Sequence, residues 1–115
     1  MSEFRSRKSL VSFVRSQMVN NVDLATTINN LMIIYSHQTN DEQAANETHY
    51  RNRMGFNYAD AKVLSRIAKD VIDKKSLDDS QLFEIKTRMP KYARQIVRSK
   101  IASGSLVKSN GVYIY

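Results

Sequence analysis

With 115 residues and 18 basic against 11 acidic side chains, the chain has room for one domain with a modest core and carries a net charge of +7. It contains no cysteine, which excludes a disulfide framework and a thiolate metal site. No apolar run approaches membrane-spanning length and the N-terminus lacks a clean apolar signal core, so a soluble protein of a reducing, cytoplasmic compartment with no membrane partner is expected.

Taken in order, residues 2–20 carry Leu10, Val11, Val14 and Met18 at helical spacing, with Phe4 before them and Arg5, Arg7, Lys8 and Arg15 on the other side. That pattern predicts an amphipathic helix docked on the domain, or a basic arm. Asp23 is placed to cap a second helix in which Leu24, Ile28, Leu31, Met32 and Tyr35 are spaced for burial. Its LMIIY run is apolar nearly all round, which assigns the helix a central position or an oligomer interface. If residues 1–56 do not fold over the rest, a homodimer through helix 23–37 is the simplest cover for that face.

The pattern fails from His37 to Phe56. This stretch is polar, and so long a loop is unusual inside a compact domain. It is read as a short helix in DEQAANE or as a boundary, dividing the chain into an N-terminal helical region (1–37), a polar loop (38–56) and a basic helical module (57–115). Residues 1–56 hold six basic and five acidic side chains, whereas residues 57–115 hold twelve and six, so the second part is the expected contact surface.

Asn57, with Asp60 three residues on, marks the next helix start after a Gly55-Phe56 turn. Its stripe is Leu64, Ile67, Ala68 and Val71, with Val63 and Ile72 beside it, and Lys74-Lys75-Ser76 ends it. Asp78 and Gln81 then form a capping-box pattern, and Leu77 and Leu82 are placed as a hydrophobic staple. Leu82, Ile85 and Met89 share one face of that helix. Pro90 should end it and open the next, because it lacks an N–H and restrains the residue before it. Tyr92, Ala93, Ile96, Val97 and Ile101 give helix 90–103 its apolar side, and Gly104 fits a left-handed cap. Asn110-Gly111 signals a two-residue hairpin turn, which pairs Ser109 with Val112, Lys108 with Tyr113, Val107 with Ile114 and Leu106 with Tyr115. Val107, Val112 and Ile114 then form a core face, and Lys108, Tyr113 and Tyr115 an open one.

The expected fold is therefore mostly α: a helical N-terminal half and a three-helix C-terminal unit ending in a β-hairpin. The order LSRIAKDVI, SLDDSQLFEI, PKYARQIVRSKIASG and SLVKSNGVYIY resembles the winged helix-turn-helix family over residues 57–115. That resemblance implies a third helix in the DNA major groove and a wing on backbone or minor groove. Carried over by position, it implies contacts from Lys91, Tyr92, Arg94, Gln95 and Arg98, with Lys108 and Tyr113 on the wing. Two features depart from the family pattern: the turn between the second and third helices lacks glycine, and the second helix is long. GFNYADAKVLSRIAK, L-x-x-x-Q and MPKYARQI also resemble segments of small phage-encoded proteins of unassigned role.

After Glu84 there is no acid, while Lys86, Arg88, Lys91, Arg94, Arg98, Lys100 and Lys108 follow, seven charges that equal the net charge of the chain. Lys91, Arg94 and Arg98 stand at spacings of three and four, along one helix face, where they can neutralise phosphates. A solvated face is the plainer reading of such a row. The acid-free run and the hairpin tyrosines favour the functional one, since tyrosine beside arginine suits base stacking as well as backbone contact. Tyr92, at helical spacing with Ile96, reads as core.

No catalytic constellation emerges, so no enzyme and no cofactor are expected. His37 and His49 are read as ordinary surface histidines. Asp60-Ala61-Lys62 and Glu84-Ile85-Lys86 each imitate the acid-x-lysine element of a metal-dependent nuclease, but within helices and without further carboxylates. Two functions remain. One is a nucleic-acid-binding accessory or regulatory protein, probing DNA in preference to RNA through Lys86, Arg88, Lys91, Arg94, Gln95, Arg98, Lys108 and Tyr113. The other is a small phage-type inhibitor or adaptor docking on an acidic protein surface or a protein–nucleic acid complex of the host.

Overall fold

Side chains that accept orphan backbone N–H groups set where four of the described helices begin. A computed structural model of the chain describes residues 3–20, 23–38, 55–109 and 111–114, and these are mostly helical. A strand, β1 (Glu3–Phe4), precedes α1 (Arg7–Val19) and α2 (Leu24–Tyr35). Then come α3 (Tyr58–Ile72), α4 (Asp79–Arg88), a 3-10 turn (Met89–Tyr92), α5 (Ala93–Ala102), β2 (Lys108–Ser109) and β3 (Val112–Ile114). The DEQAANE helix, His49 and Tyr115 lie outside the described residues.

Asp23 Oδ1 accepts from Thr26 N–H at 2.8 Å and Asn57 Oδ1 from Asp60 N–H at 2.9 Å. Asp78 and Gln81 complete a reciprocal capping box, at 2.8 and 3.0 Å. Ser6 caps α1, which therefore starts later than the periodicity implied, and leaves Glu3–Phe4 free to form a strand. Helix 90–103 is corrected in the same way. Pro90 sits in a 3-10 turn, and α-helical geometry begins only at Ala93.

Both halves of the chain feed one core. Leu10, Leu31, Ile34, Phe56, Leu64, Ile85, Ile96 and Val97 are all fully buried, and they belong to a single cluster. At about 1.5–3 kcal/mol for each such side chain, this cluster is the main term opposing chain entropy. Helix α1 packs on α5 and on the 3-10 turn, and α2 packs on α3 and α5. Leu31, Ile34 and Tyr35 of the LMIIY run are buried, and Met32 and Ile33 pack against the cluster. That is the central placement. Ile72, expected beside the α3 stripe, is 56% exposed.

The strands form one antiparallel sheet in the order β1-β3-β2. Ser109 faces Val112 and Lys108 faces Tyr113, while Phe4 faces Tyr113 and Glu3 faces Ile114 across the other edge. Gly111 has φ +79°, as the two-residue turn requires. The hairpin departs from the sequence expectation at one residue of each face, while Val112 is half-buried and Lys108 exposed as expected. Val107 is 61% exposed, whereas Tyr113 is half-buried against the core. Tyr113 is covered by β1, which lays Phe4 beside it and against the Phe13 ring at 4.8 Å.

Candidate nucleic-acid interface

Helix α5 has its direction fixed by Ala93, Ile96 and Val97, all buried. With 3.6 residues per turn, Arg94 and Arg98 must then point outward one turn apart. Both are exposed, and neither makes an ion pair among the described residues. Lys91 extends the row from the 3-10 turn. Together with Tyr92 and Gln95 these cations line a surface hollow of about 190 Å³.

Lys91 is not free. Asp60, on the first turn of α3, is 1% exposed and accepts from Lys91 Nζ at 2.8 Å, Arg88 Nη1 at 2.9 Å and the Tyr92 hydroxyl at 2.6 Å. Burial pushes the Asp60 carboxyl up, but hydrogen bonds from Lys91, Tyr92 and Arg88 outweigh it and hold the group below the usual carboxylate range. The Tyr92 hydroxyl is pushed far up, first by burial and then by donating to Asp60, while it accepts from Asn57 N–H at 2.9 Å. Arg88 also reaches Glu84 at 2.6 Å, and these two carboxylates raise its already high value. Asp60 and Glu84 were the acids of the two nuclease-like triplets. They converge on one guanidinium.

Gln95 faces the protein instead of a ligand. Its Oε1 accepts from Gly55 N–H at 2.7 Å and its Nε2 donates to the Gly55 carbonyl at 3.2 Å. The same Oε1 meets His37 Nδ1, so that ring nitrogen carries a proton, and Nε2 shares a hydrogen bond with the Ser99 hydroxyl at 3.3 Å. His37 is thus a half-buried structural residue and not an ordinary surface histidine. Lys86 is exposed on α4, away from the hollow, and Lys108 lies over the Tyr113 ring at 5.4 Å. Since Tyr113 packs inward, it is poorly disposed to stack on a base.

The predicted contact residues therefore divide into three groups. Arg94 and Arg98 form an open pair with Lys91 at its edge. Arg88 and Gln95 are committed to the fold. Lys86, Lys108 and Tyr113 lie outside the hollow. The sequence reading missed Asp60 as the counter-anion of the row. Its place after the Asn57 cap was visible, but the partners that define its role lie 28 to 32 positions later.

A larger hollow of about 860 Å³ is lined by Thr26, Asn29, Ile33, Ser99 and Ser103, with one charge of each sign from Asp23 and Lys100. It offers hydroxyls and amides in place of a cationic row. No helix among the described residues is long and apolar enough to cross a membrane. No protein family, curated protein or solved structure matches this chain.

Proposed function

We propose that this protein is a nucleic-acid-binding accessory or regulatory factor of phage-type DNA metabolism, contacting phosphates of DNA in preference to RNA. The observation that carries this reading is the exposed pair Arg94 and Arg98, one turn apart on a helix whose opposite face is core, with Lys91 in line. Arginine presents a rigid fork of donors suited to phosphate oxygens, and the nearby Asp60 carboxylate is engaged by Lys91, Arg88 and Tyr92. On the winged-helix reading, α3, α4 and α5 are the three helices and the strands 108–114 the wing. The helix order and the Lys108–Tyr113 pairing support that reading. The 3-10 turn before α5 and the inward Gln95 narrow the contact set to Lys91, Arg94, Arg98 and Lys108. No catalytic role is proposed.

The test is binding to fluorescent duplex DNA, single-stranded DNA and RNA across a salt series, with Arg94→Glu/Arg98→Glu alongside. Binding to duplex with a steep salt slope, abolished in the folded variant, is the expected result. Absence of binding by folded wild-type protein at low salt would remove this reading.

One observation favours the second reading, docking on an acidic protein surface. Phe83 on α4 is 65% exposed and stands one turn from Lys86, a pairing that a phosphate backbone does not need. A Phe83→Ala variant that loses a host-protein partner while retaining DNA binding would support it.

A further inference from the structure

The three donors on Asp60 are not equally able to leave it. Tyr92 is 6% exposed and its ring stands edge-on to Phe56 at 5.9 Å. Arg88 is held a second time by Glu84. The Lys91 side chain is 49% exposed, shares a hollow with Arg94 and Arg98, and ends in a flexible ammonium with rotatable donors. If Lys91 departs, the buried carboxylate still keeps a guanidinium and a phenol, so its charge stays paired.

We propose that Asp60 sets the phosphate affinity of the basic row by serving as the resident counter-anion of Lys91, which exchanges the Asp60 carboxylate for a backbone phosphate when nucleic acid binds. This inference rests on the nucleic-acid reading above and deepens it. In the free protein the row shows two cations without an ion pair among the described residues, Arg94 and Arg98, with a third held in reserve. Exchange replaces one anionic oxygen by another and brings the third cation onto the ligand. The energy of breaking the Lys91–Asp60 pair is subtracted from binding. Asp60 therefore holds affinity below what the row would reach unrestrained, without changing how many phosphates it meets.

A double-mutant cycle on duplex DNA tests this, using wild type, Lys91→Ala, Asp60→Asn and the double variant, each checked for fold by circular dichroism. Lys91→Ala should lower the slope of log K against log salt by about 0.9, one phosphate on duplex. Asp60→Asn should keep the wild-type slope and tighten binding about threefold to fivefold, the scale of a half-exposed ion pair. That gain should vanish in the Lys91→Ala background. An unchanged slope in Lys91→Ala overturns the proposal. So does a gain from Asp60→Asn that persists without Lys91, because the carboxylate then acts only through its general field. Should Asp60→Asn fail to fold, an unchanged slope in the exposed Lys91→Ala variant still overturns the proposal. If wild type binds and the cycle shows no coupling, only this inference falls; if wild type binds no nucleic acid at any salt, the broader reading falls with it.

Discussion

The side-chain amide of Gln95 grips both backbone groups of Gly55, taking its N–H at 2.7 Å and giving to its carbonyl at 3.2 Å. This pair ties α5 to the residue that leads into α3, and it explains why an amide on the helix bearing the basic row turns inward. Gln95→Ala should leave the Gly55 N–H and the His37 ring without their acceptor and cost about 2–3 kcal/mol in a urea titration. The variant that remains folded should bind DNA with wild-type affinity and salt slope. A loss of affinity at an unchanged slope would instead make Gln95 a ligand contact, since a neutral amide releases no counterion.

Gly55 is constrained from a second side. Its φ is +79°, and a Cβ there would lie 1.9 Å from Gln38 Oε1, the atom that accepts from Phe56 N–H at 3.0 Å. An alanine thus meets backbone strain and displaces an acceptor from a buried donor. Gly55→Ala should lower stability by at least about 2 kcal/mol in chemical denaturation. A neutral result would show that the Gln38 side chain can move aside without loss.

The features legible in the sequence were local ones. Asp78 and Gln81 stand three residues apart, and the capping box they form needs nothing from the rest of the chain. The outward row on α5 was equally legible, because helix spacing alone puts Arg94 and Arg98 on one face. What could not be read were relationships across the chain. A period-two pattern separates the faces of a hairpin but does not say which residues are covered. Here Phe4, more than a hundred positions earlier by the pairing Phe4–Tyr113, covers Tyr113. The partial neutralisation of the row has the same origin, since an acid in α3 cannot be assigned to cations on another helix without the packing that joins them.

The Asp60 network fixes the sign of the pH response. The folded carboxyl is held below its ordinary value of 3.8, so its stabilising contribution is fully present above that value and is lost as pH falls through the lower, folded value. Tyr92 behaves oppositely. Its hydroxyl is raised, so its contribution is complete below about pH 10 and is lost as pH climbs towards the folded value. Asp60→Asn should lower stability at pH 7 by about 2 kcal/mol and flatten the acid limb of the stability curve. Tyr92→Phe should cost about 1–2 kcal/mol at neutral pH and flatten the alkaline limb. Urea midpoints across pH measure both. An acid limb unchanged in Asp60→Asn would mean that other carboxylates govern acid unfolding.

Ser65 provides a prediction of the opposite sign. It is fully buried on the inner face of α3, next to Leu64 and two residues from Ile67, and its hydroxyl has no hydrogen-bond partner among the described residues. A buried hydroxyl without a partner costs free energy, and serine forms helix less readily than alanine. Ser65→Ala removes both penalties while deleting a single heavy atom, so the space it opens is small. Stability should rise by about 0.5–1.5 kcal/mol, and the thermal midpoint by several degrees in calorimetry. Asn30, whose Oδ1 is also buried and unpaired, makes a poorer test because truncating its longer side chain leaves a void beside Met18, Ile85 and Met89. A fall in midpoint for Ser65→Ala would show that the hydroxyl does have a partner in solution, and would move Ser65 from a tolerated defect to a structural contact of α3.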